Sequence, residues 1–387
     1  MSDQSLTLPS AVSEPQAGEV EINLSAGEIG QLSLWYLIWR RFLRNRLAVA
    51  ATFVLLLLYL MVALAEFITP YDHLISNEDF VARAPQLPRF RDETGQFHFR
   101  PFVYGTTTEL DTYNLDWVHK DDTTQMYPLK LFVKGAPYKL LGLFPSDRHL
   151  YGVDAPGTVF LLGTDRLGRD LFSRIIFGGR ISLTVGLIGV SLTILFGSVM
   201  GTISGYFGGP VDTVIQRFIE LLMSFPSIAL WAALAAAMPA DITIVTRFFL
   251  ISIILSLIGW TSLARQVRAK VLAFREMEFS SAATAAGASH FRIIMVHMLP
   301  NALSHIIVIA TLAIPGMILA ETALSFLGLG ILPPAVSWGT LLQDAQTVGV
   351  VIKKPWLMLP GAFVIVSVLS FNFLGDGIRD AVDPFAL

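Results

Sequence analysis

The chain carries a run of 19 residues without a single charge, Leu47–Ala65, and five further apolar stretches of comparable length at roughly 181–207, 218–238, 248–264, 302–327 and 356–375. Roughly 20 helical residues cross the hydrocarbon of a bilayer, and in lipid a backbone must satisfy its own polar groups, so each stretch predicts a membrane-spanning helix. Composition agrees. The chain is 53% hydrophobic and 15% charged, with a mean hydropathy of +0.61, where soluble domains carry about a quarter charged residues. The expected fold class is all-α membrane, with six transmembrane helices. Ala63-Leu64-Ala65 imitates a signal-peptidase site, but the basic region before it and the apolar run itself are too long for a signal peptide.

An even number of spans puts both termini on one face, and the distribution of Arg and Lys selects it. The proposed inner flanks hold Arg40, Arg41, Arg44, Arg46, Arg217, Arg265, Arg268, Lys270, Arg275, Arg292 and Arg379, against Arg247, Lys353 and Lys354 in the two short outer loops. Both termini are therefore expected in the cytoplasm. Arg169, Arg174 and Arg180 fall on the opposite side, but at the end of a long loop, where the bias counts little. The domain organisation follows: a disordered cytoplasmic tail over 1–33, an interfacial helix and first span over 34–69, an external insertion over 70–168, and a transmembrane core over 169–387. The insertion is too long for a connector and predicts a small subdomain with short strands such as Tyr127–Val133. Asp170–Gly179 predicts a short amphipathic interfacial helix, with Leu171, Phe172, Ile175 and Ile176 on one face and Asp170, Ser173 and Arg174 on another. Pro226 and Pro315 are expected to kink their helices, and Gly197, Gly201 and Gly205 to pack on a neighbour.

The residue inventory excludes several functions. A formal net charge of −3 gives no footprint for nucleic acid, and the absence of cysteine removes disulfides and thiolate chemistry. No G-x-x-x-x-G-K-[ST] loop occurs, so the chain cannot bind ATP in a P-loop. A secondary transporter would show a repeat linking two halves, and none is evident. Ser191 and His305 form a conceivable intramembrane protease pair, although small-x-Ser in a membrane helix usually marks packing. No catalytic, cofactor-binding or metal-binding residue is assigned.

Residues 265–301 stand out. Arg265, Arg268 and Lys270 fix this stretch inside, Pro300 is expected to stop it before the fifth span, and Ser280–Ser289 is almost wholly Ala, Gly, Ser and Thr. A helix there exposes little side chain and lets another surface approach closely. The segment resembles the E-A-A-x3-G-x9-I-x-L-P signature of ABC importer permeases through Ala282, Ala283, Gly287, Leu299 and Pro300, with Ser281 in place of the acid and His297 in place of Ile. The resemblance implies a coupling helix at about 276–292 that docks on an ATPase through Arg275, Glu276, Ala282, Ala283, Gly287, Ala288, Ser289 and Pro300.

Residues 163–186, GTDRLGRDLFSRIIFGGRISLTVG, resemble the C-type permease of oligopeptide and dipeptide importers through Gly163, Thr164, Asp165, Gly168, Arg169, Asp170, Ser173 and Arg174. Gly205–Gly209, Glu321–Gly330 and Gly377–Pro384 look like further pieces of the same pattern. The resemblance implies an inner-membrane permease that pairs with a second, homologous permease as a heterodimer. It also implies two ABC ATPase subunits, which hold the ATP and Mg, and a periplasmic solute-binding protein, with membrane lipid around the pair. An oligopeptide-like cargo is implied, with oligosaccharide or another small solute as the alternative. From the residues alone, the motif's glycines permit tight turns and its charges can form an ion-pair network at the membrane edge. Glu321, at the end of the fifth span, is expected to line a pathway or to pack within the bundle.

Overall fold

The structure, a computed structural model, describes residues 34–112, 116–239 and 241–382. The expected tail over 1–33, and Asp383 and Pro384 of the C-terminal motif, lie outside the described residues. Helix α1 (Leu34–Arg44) is followed by α2 (Arg46–Ala63), which Asn45 caps by accepting a hydrogen bond from the Ala48 N–H at 3.1 Å; a single turn, α3 (Ala65–Ile68), ends this arm. Past the β insertion come α4 (Leu171–Phe207), α5 (Gly209–Met223), α6 (Ser227–Ala236) and α7 (Ile244–Arg275). The chain closes with α8 (Glu278–Ala285), α9 (His290–Arg292), α10 (Leu299–Phe326), α11 (Trp338–Gln343), α12 (Val348–Lys353) and α13 (Leu359–Val382).

Five helical segments among the described residues are long and apolar enough to cross a membrane: α2, α4, α7, His290–Phe326 and Pro355–Val382. The third expected span, 218–238, is not one rod, because α5 and α6 meet at 80° across Ser224-Phe225-Pro226. Pro226 has no N–H to donate and its ring disfavours helical backbone at Phe225, so the helix ends there rather than merely bending. The total is therefore five spans, or six if the bent pair crosses as one. Pro315, by contrast, stays inside the continuous helix α10.

The bundle is locked by small residues. A Cβ on Gly197, Gly201 or Gly205 of α4 would come within 2.8 Å of Leu263, 2.5 Å of the Ala264 carbonyl oxygen and 2.8 Å of the Arg268 carbonyl oxygen. The three contacts advance together along both helices, so α4 and α7 run parallel and nearly touch by backbone. Helix α10 packs on α4 through Ile318 against Gly186 and on α13 through Leu312 against Gly375. The first and last long helices meet on one face, where Phe42, Ala48 and Ala381 form a small core and Asn45 donates to Asp380 at 3.4 Å.

Asp170–Gly179 is not a separate interfacial helix. It is the opening of α4, and Ser173 and Arg174 are buried together with Leu171, Ile175 and Ile176. Gly178 and Gly179 make no turn; they admit Ser337 and Trp338 against the helix.

The insertion is a β-domain. An antiparallel sheet of order β1 (Arg89–Arg91), β2 (Phe97–Asp111), β3 (Asp116–Pro128) is followed by a hairpin of β4 (Lys130–Leu140) and β5 (Phe144–Gly152). The expected strand Tyr127–Val133 straddles the break between β3 and β4. Pro128 lacks the N–H to continue the ladder, and Leu129 donates to the Pro101 carbonyl at 2.8 Å instead.

Candidate functional site

Two places concentrate the motif residues, one at each end of the bundle. At the end away from the β-domain, α7 continues unbroken to Arg275 instead of stopping at 264. Its 32 residues span about 48 Å, about 18 Å more than a hydrocarbon core needs, so the helix is long enough to carry α8 beyond a membrane. Ser280 roots α8 by donating to the Phe274 carbonyl at 2.7 Å. The far end closes in a Schellman motif: Gly287 has φ +78°, its N–H donates to Thr284 O at 3.0 Å, and Ala288 N–H donates to Ala283 O at 3.1 Å. A Cβ on Gly287 would meet nothing, so glycine is required there by backbone conformation and not by local space.

The expected docking residues divide by environment. Ala283 and Ala288 face inward and pack on the core of Leu263, Val267, Ile293 and Met298, whereas Arg275, Glu276, Ala282, Gly287, Ser289 and Pro300 are exposed. Ser289 also caps α9 by accepting from Arg292 N–H at 3.3 Å. Helix α8 therefore presents a nearly flat surface formed by Ser281, Ala282, Ala285 and Ala286. Ser281 and Ala285 also border an adjoining open cleft of about 640 Å³, lined further by Tyr206, Arg275, Thr284, His290 and Met298. Tyr206 and His290 hydrogen-bond at 2.7 Å across it; as they lie 84 positions apart, the sequence offers no pattern that pairs the two. Pro300 does not stop the segment. A wide π turn over Ile293–Met298 leads directly into α10 and relieves the clash between the proline ring and the preceding turn, with Asn301 donating to the His297 carbonyl at 2.6 Å.

At the opposite end, residues 163–174 form a tight loop that opens α4. Asp165 is fully buried: its Oδ1 accepts from the Leu167 and Arg169 N–H groups at 2.8 and 3.0 Å, and its Oδ2 accepts from Arg169 Nε at 2.7 Å and from Arg174 Nη1. A carboxylate without exposure holds two guanidinium groups, and removing one partner of such a buried pair costs about 3–5 kcal/mol. Asp170 takes a different role from the ion-pair partner expected. It is the N-cap of α4, accepting from Ser173 N–H at 2.8 Å and Ser173 Oγ at 2.5 Å. Its burial pushes the carboxyl up to about 6 against the pull of those hydrogen bonds.

Gly163 and Gly168 do supply the turns, with φ +77° and +71°. A Cβ on Gly168 would overlap the Asn77 carbonyl oxygen at 1.8 Å. Thr164 ties the loop to the strap 77–86, accepting from Arg83 N–H at 2.8 Å and donating to the Phe80 carbonyl. Two contacts that sequence reasoning missed reach the far part of the chain: Trp356 Nε1 donates to the Thr164 carbonyl at 3.1 Å, and Arg166 donates to the Asp344 carbonyl. The loop is thus a joint between β-domain, bundle and the segment around α11. Arg180, further along α4, pairs with Glu66 at 2.6 Å, so all three arginines that disagreed with the charge bias sit against acids.

Glu321 has no exposed surface. It accepts from Ser182 Oγ of α4 at 3.0 Å and from Ser325 Oγ at 2.7 Å, while Ser182 also accepts from Trp338 N–H at 3.1 Å. Of the two roles expected for it, packing is the one this geometry serves. Ser191 donates to the Leu187 carbonyl within its own helix at 2.8 Å, and no hydrogen bond joins it to His305.

The family model described as "Binding-protein-dependent transport system inner membrane component" matches residues 193–386, and "N-terminal TM domain of oligopeptide transport permease C" matches 33–85. The chain is 44% identical over 223 residues to the oligopeptide transport system permease protein OppC of Haemophilus influenzae, covering 57% of this chain and 69% of that protein. It is 41% identical over 241 residues to the dipeptide transport system permease protein DppC of Alkalihalophilus pseudofirmus, covering 62% and 75%. Against the DppC of Bacillus subtilis the identity is 32% over 369 residues, covering 94% of this chain and 90% of the relative.

Proposed function

Because the chain belongs to the family of binding-protein-dependent transport system inner membrane components, we propose that it is one permease subunit of an ATP-driven importer of oligopeptides or dipeptides. Its place is the inner membrane, crossed several times. On this reading both termini and α8 lie in the cytoplasm, and the β-domain faces the compartment from which a solute-binding protein delivers cargo. A second, related permease completes the passage.

The observation that carries the proposal is α8: a small-residue surface, capped rigidly, held beyond the membrane on the extension of α7. Rigidity matters because a docked helix transmits displacement only if its own ends do not yield. Two partner ATPases hold the ATP and Mg; their closure pulls this subunit's α8 and its counterpart together and turns the pair toward the side of the binding protein. Ala283 and Ala288 pass that motion into the core beneath them, and Ala282 meets the partner. No bond is made or broken in this chain.

Replacing Ala282 with Arg tests the reading in the complete transporter reconstituted with its binding protein. The variant is expected to insert at normal levels while losing most of the cargo-stimulated ATPase and uptake. Uptake at the parental rate would remove α8 from the coupling route. Cargo is tested separately by competing labelled dipeptide with unlabelled peptides and oligosaccharides; competition by oligosaccharide alone would overturn the peptide reading and leave the permease reading intact.

A further inference from the structure

The hairpin β4–β5 ends in an apolar turn that nothing among the described residues covers. Leu141, Leu143 and Phe144 are 56%, 74% and 64% exposed around Gly142. The turn is closed by Gly142 N–H to Lys139 O and Leu143 N–H to Leu140 O, both at 3.0 Å. Leu141 holds φ +51° and Gly142 φ +74°. Left-handed conformation at the first of these positions favours Asn, Asp or Gly, and a branched apolar residue there goes against local preference.

Contacts along the hairpin fix the direction in which this turn points. Near its base, Tyr151 packs on Phe172 in the first turn of α4 at 6.0 Å. Further along, His149 bonds the Thr69 carbonyl at 2.6 Å and Phe132 lies 6.1 Å from Phe67. Further still, Tyr138 and Lys139 share a cleft with Glu66 and Phe177. Each step moves from Phe172 toward Phe177 down α4 and from Thr69 toward Glu66 down the end of the α2 arm. The hairpin therefore descends toward the apolar spans, and Lys139 lines the same cleft as Glu66, whose partner Arg180 is the last charge before the uncharged run 181–211.

From this, the geometry points to a lipid anchor: the 140–144 turn enters the headgroup and upper acyl region of the leaflet on the β-domain's side, with Leu141, Leu143 and Phe144 as the inserted groups. Lipid is favoured over a protein occupant by continuity with the spans beside it and by the absence of any acid between Lys134 and Pro145. Both hydrogen bonds of the turn are internal, which suits shallow insertion. An open strand edge cannot enter the hydrocarbon centre, so the depth is limited to the interface.

The chain has no cysteine, which permits a direct test. Leu141→Cys, Leu143→Cys and, as control, Asp147→Cys are spin-labelled in the complete transporter in proteoliposomes, with partner subunits free of reactive cysteine. The ratio of oxygen to nickel-chelate collision rates should be several-fold higher at 141 and 143 than at 147. Ratios at 141 and 143 equal to that at 147 would overturn the anchor. Labels there that are immobilised and shielded from both reagents would overturn it in favour of a protein partner.

Discussion

Two acids five residues apart, Asp165 and Asp170, are both buried but differ in what compensates them. Asp165 holds Arg169 and Arg174, whereas Asp170 forms no ion pair among the described residues: its Oδ2 accepts from Ser173 N–H and Oγ, and its Oδ1 is without a hydrogen-bond partner. The carboxyl of Asp170 accordingly rises from 3.8 to about 6 through burial. The sign of the linkage follows. Between those two values the folded chain binds a proton that the unfolded chain releases, so stability falls as pH rises through that window and is flat above it. A shift of about two units is worth at most about 3 kcal/mol. Asp170→Asn keeps an acceptor for Ser173 N–H and removes the buried charge. It should raise the melting temperature of the detergent-purified complex at pH 7.5 and flatten its change between pH 4.5 and 7; a lower melting temperature at pH 7.5 would mean that the charge itself is needed at the start of α4. In the sequence the two acids look alike within one motif. Only the fold distinguishes an ion-pair centre from a helix cap.

Among the helices, α4 and α7 show what a sequence pattern can and cannot disclose. The four-residue recurrence of Gly197, Gly201 and Gly205 was readable as a packing stripe, and it is one. Its consequence is sharp at Gly201, where a Cβ would sit 2.5 Å from a backbone oxygen that cannot move aside. Gly201→Ala should lower the stability of the purified complex by about 1–3 kcal/mol, the usual cost of overpacking. Gly349→Ala, in α12 with nothing within 4 Å, should be neutral or stabilising. Equal melting temperatures for the two variants would refute the close approach of α4 and α7. Apolar runs were legible because hydrocarbon demands them, and Pro226 was legible as a disturbance, though not as an 80° turn. The β-domain was legible as a separate unit with strands but not in its strand bounds, since its strands carry many exposed apolar and aromatic side chains and no clean alternation. Pro300 was misread because a π turn lets a helix run through a proline that ordinarily ends one.

Across the whole molecule, the β-domain meets the bundle in two places: the hairpin β4–β5 lies along Phe67, Thr69 and Phe172, and the 163–170 loop holds the strap that leads into the sheet. The strap 77–86 lies on that loop through Thr164 and Gly168, while Trp356 and Arg166 bind the loop to the last third of the chain. If the β-domain must be held at a fixed angle for cargo to pass from a binding protein into the bundle, loosening this joint should harm delivery without dissolving the bundle. Gly168→Ala is the minimal lesion, because φ +71° strains any L side chain and the new Cβ would displace Asn77. In the reconstituted transporter, hydrogen exchange in 77–86 should quicken, while residues 197–205 of α4, whose glycines pack on α7, keep their protection. If α8, at the far end, is the docking helix, basal ATPase should persist as cargo-stimulated uptake falls severalfold. Quickened exchange in the strap with uptake unchanged would show that the domain's angle does not matter to transport, and loss of protection at 197–205 would show that joint and bundle fold as one unit.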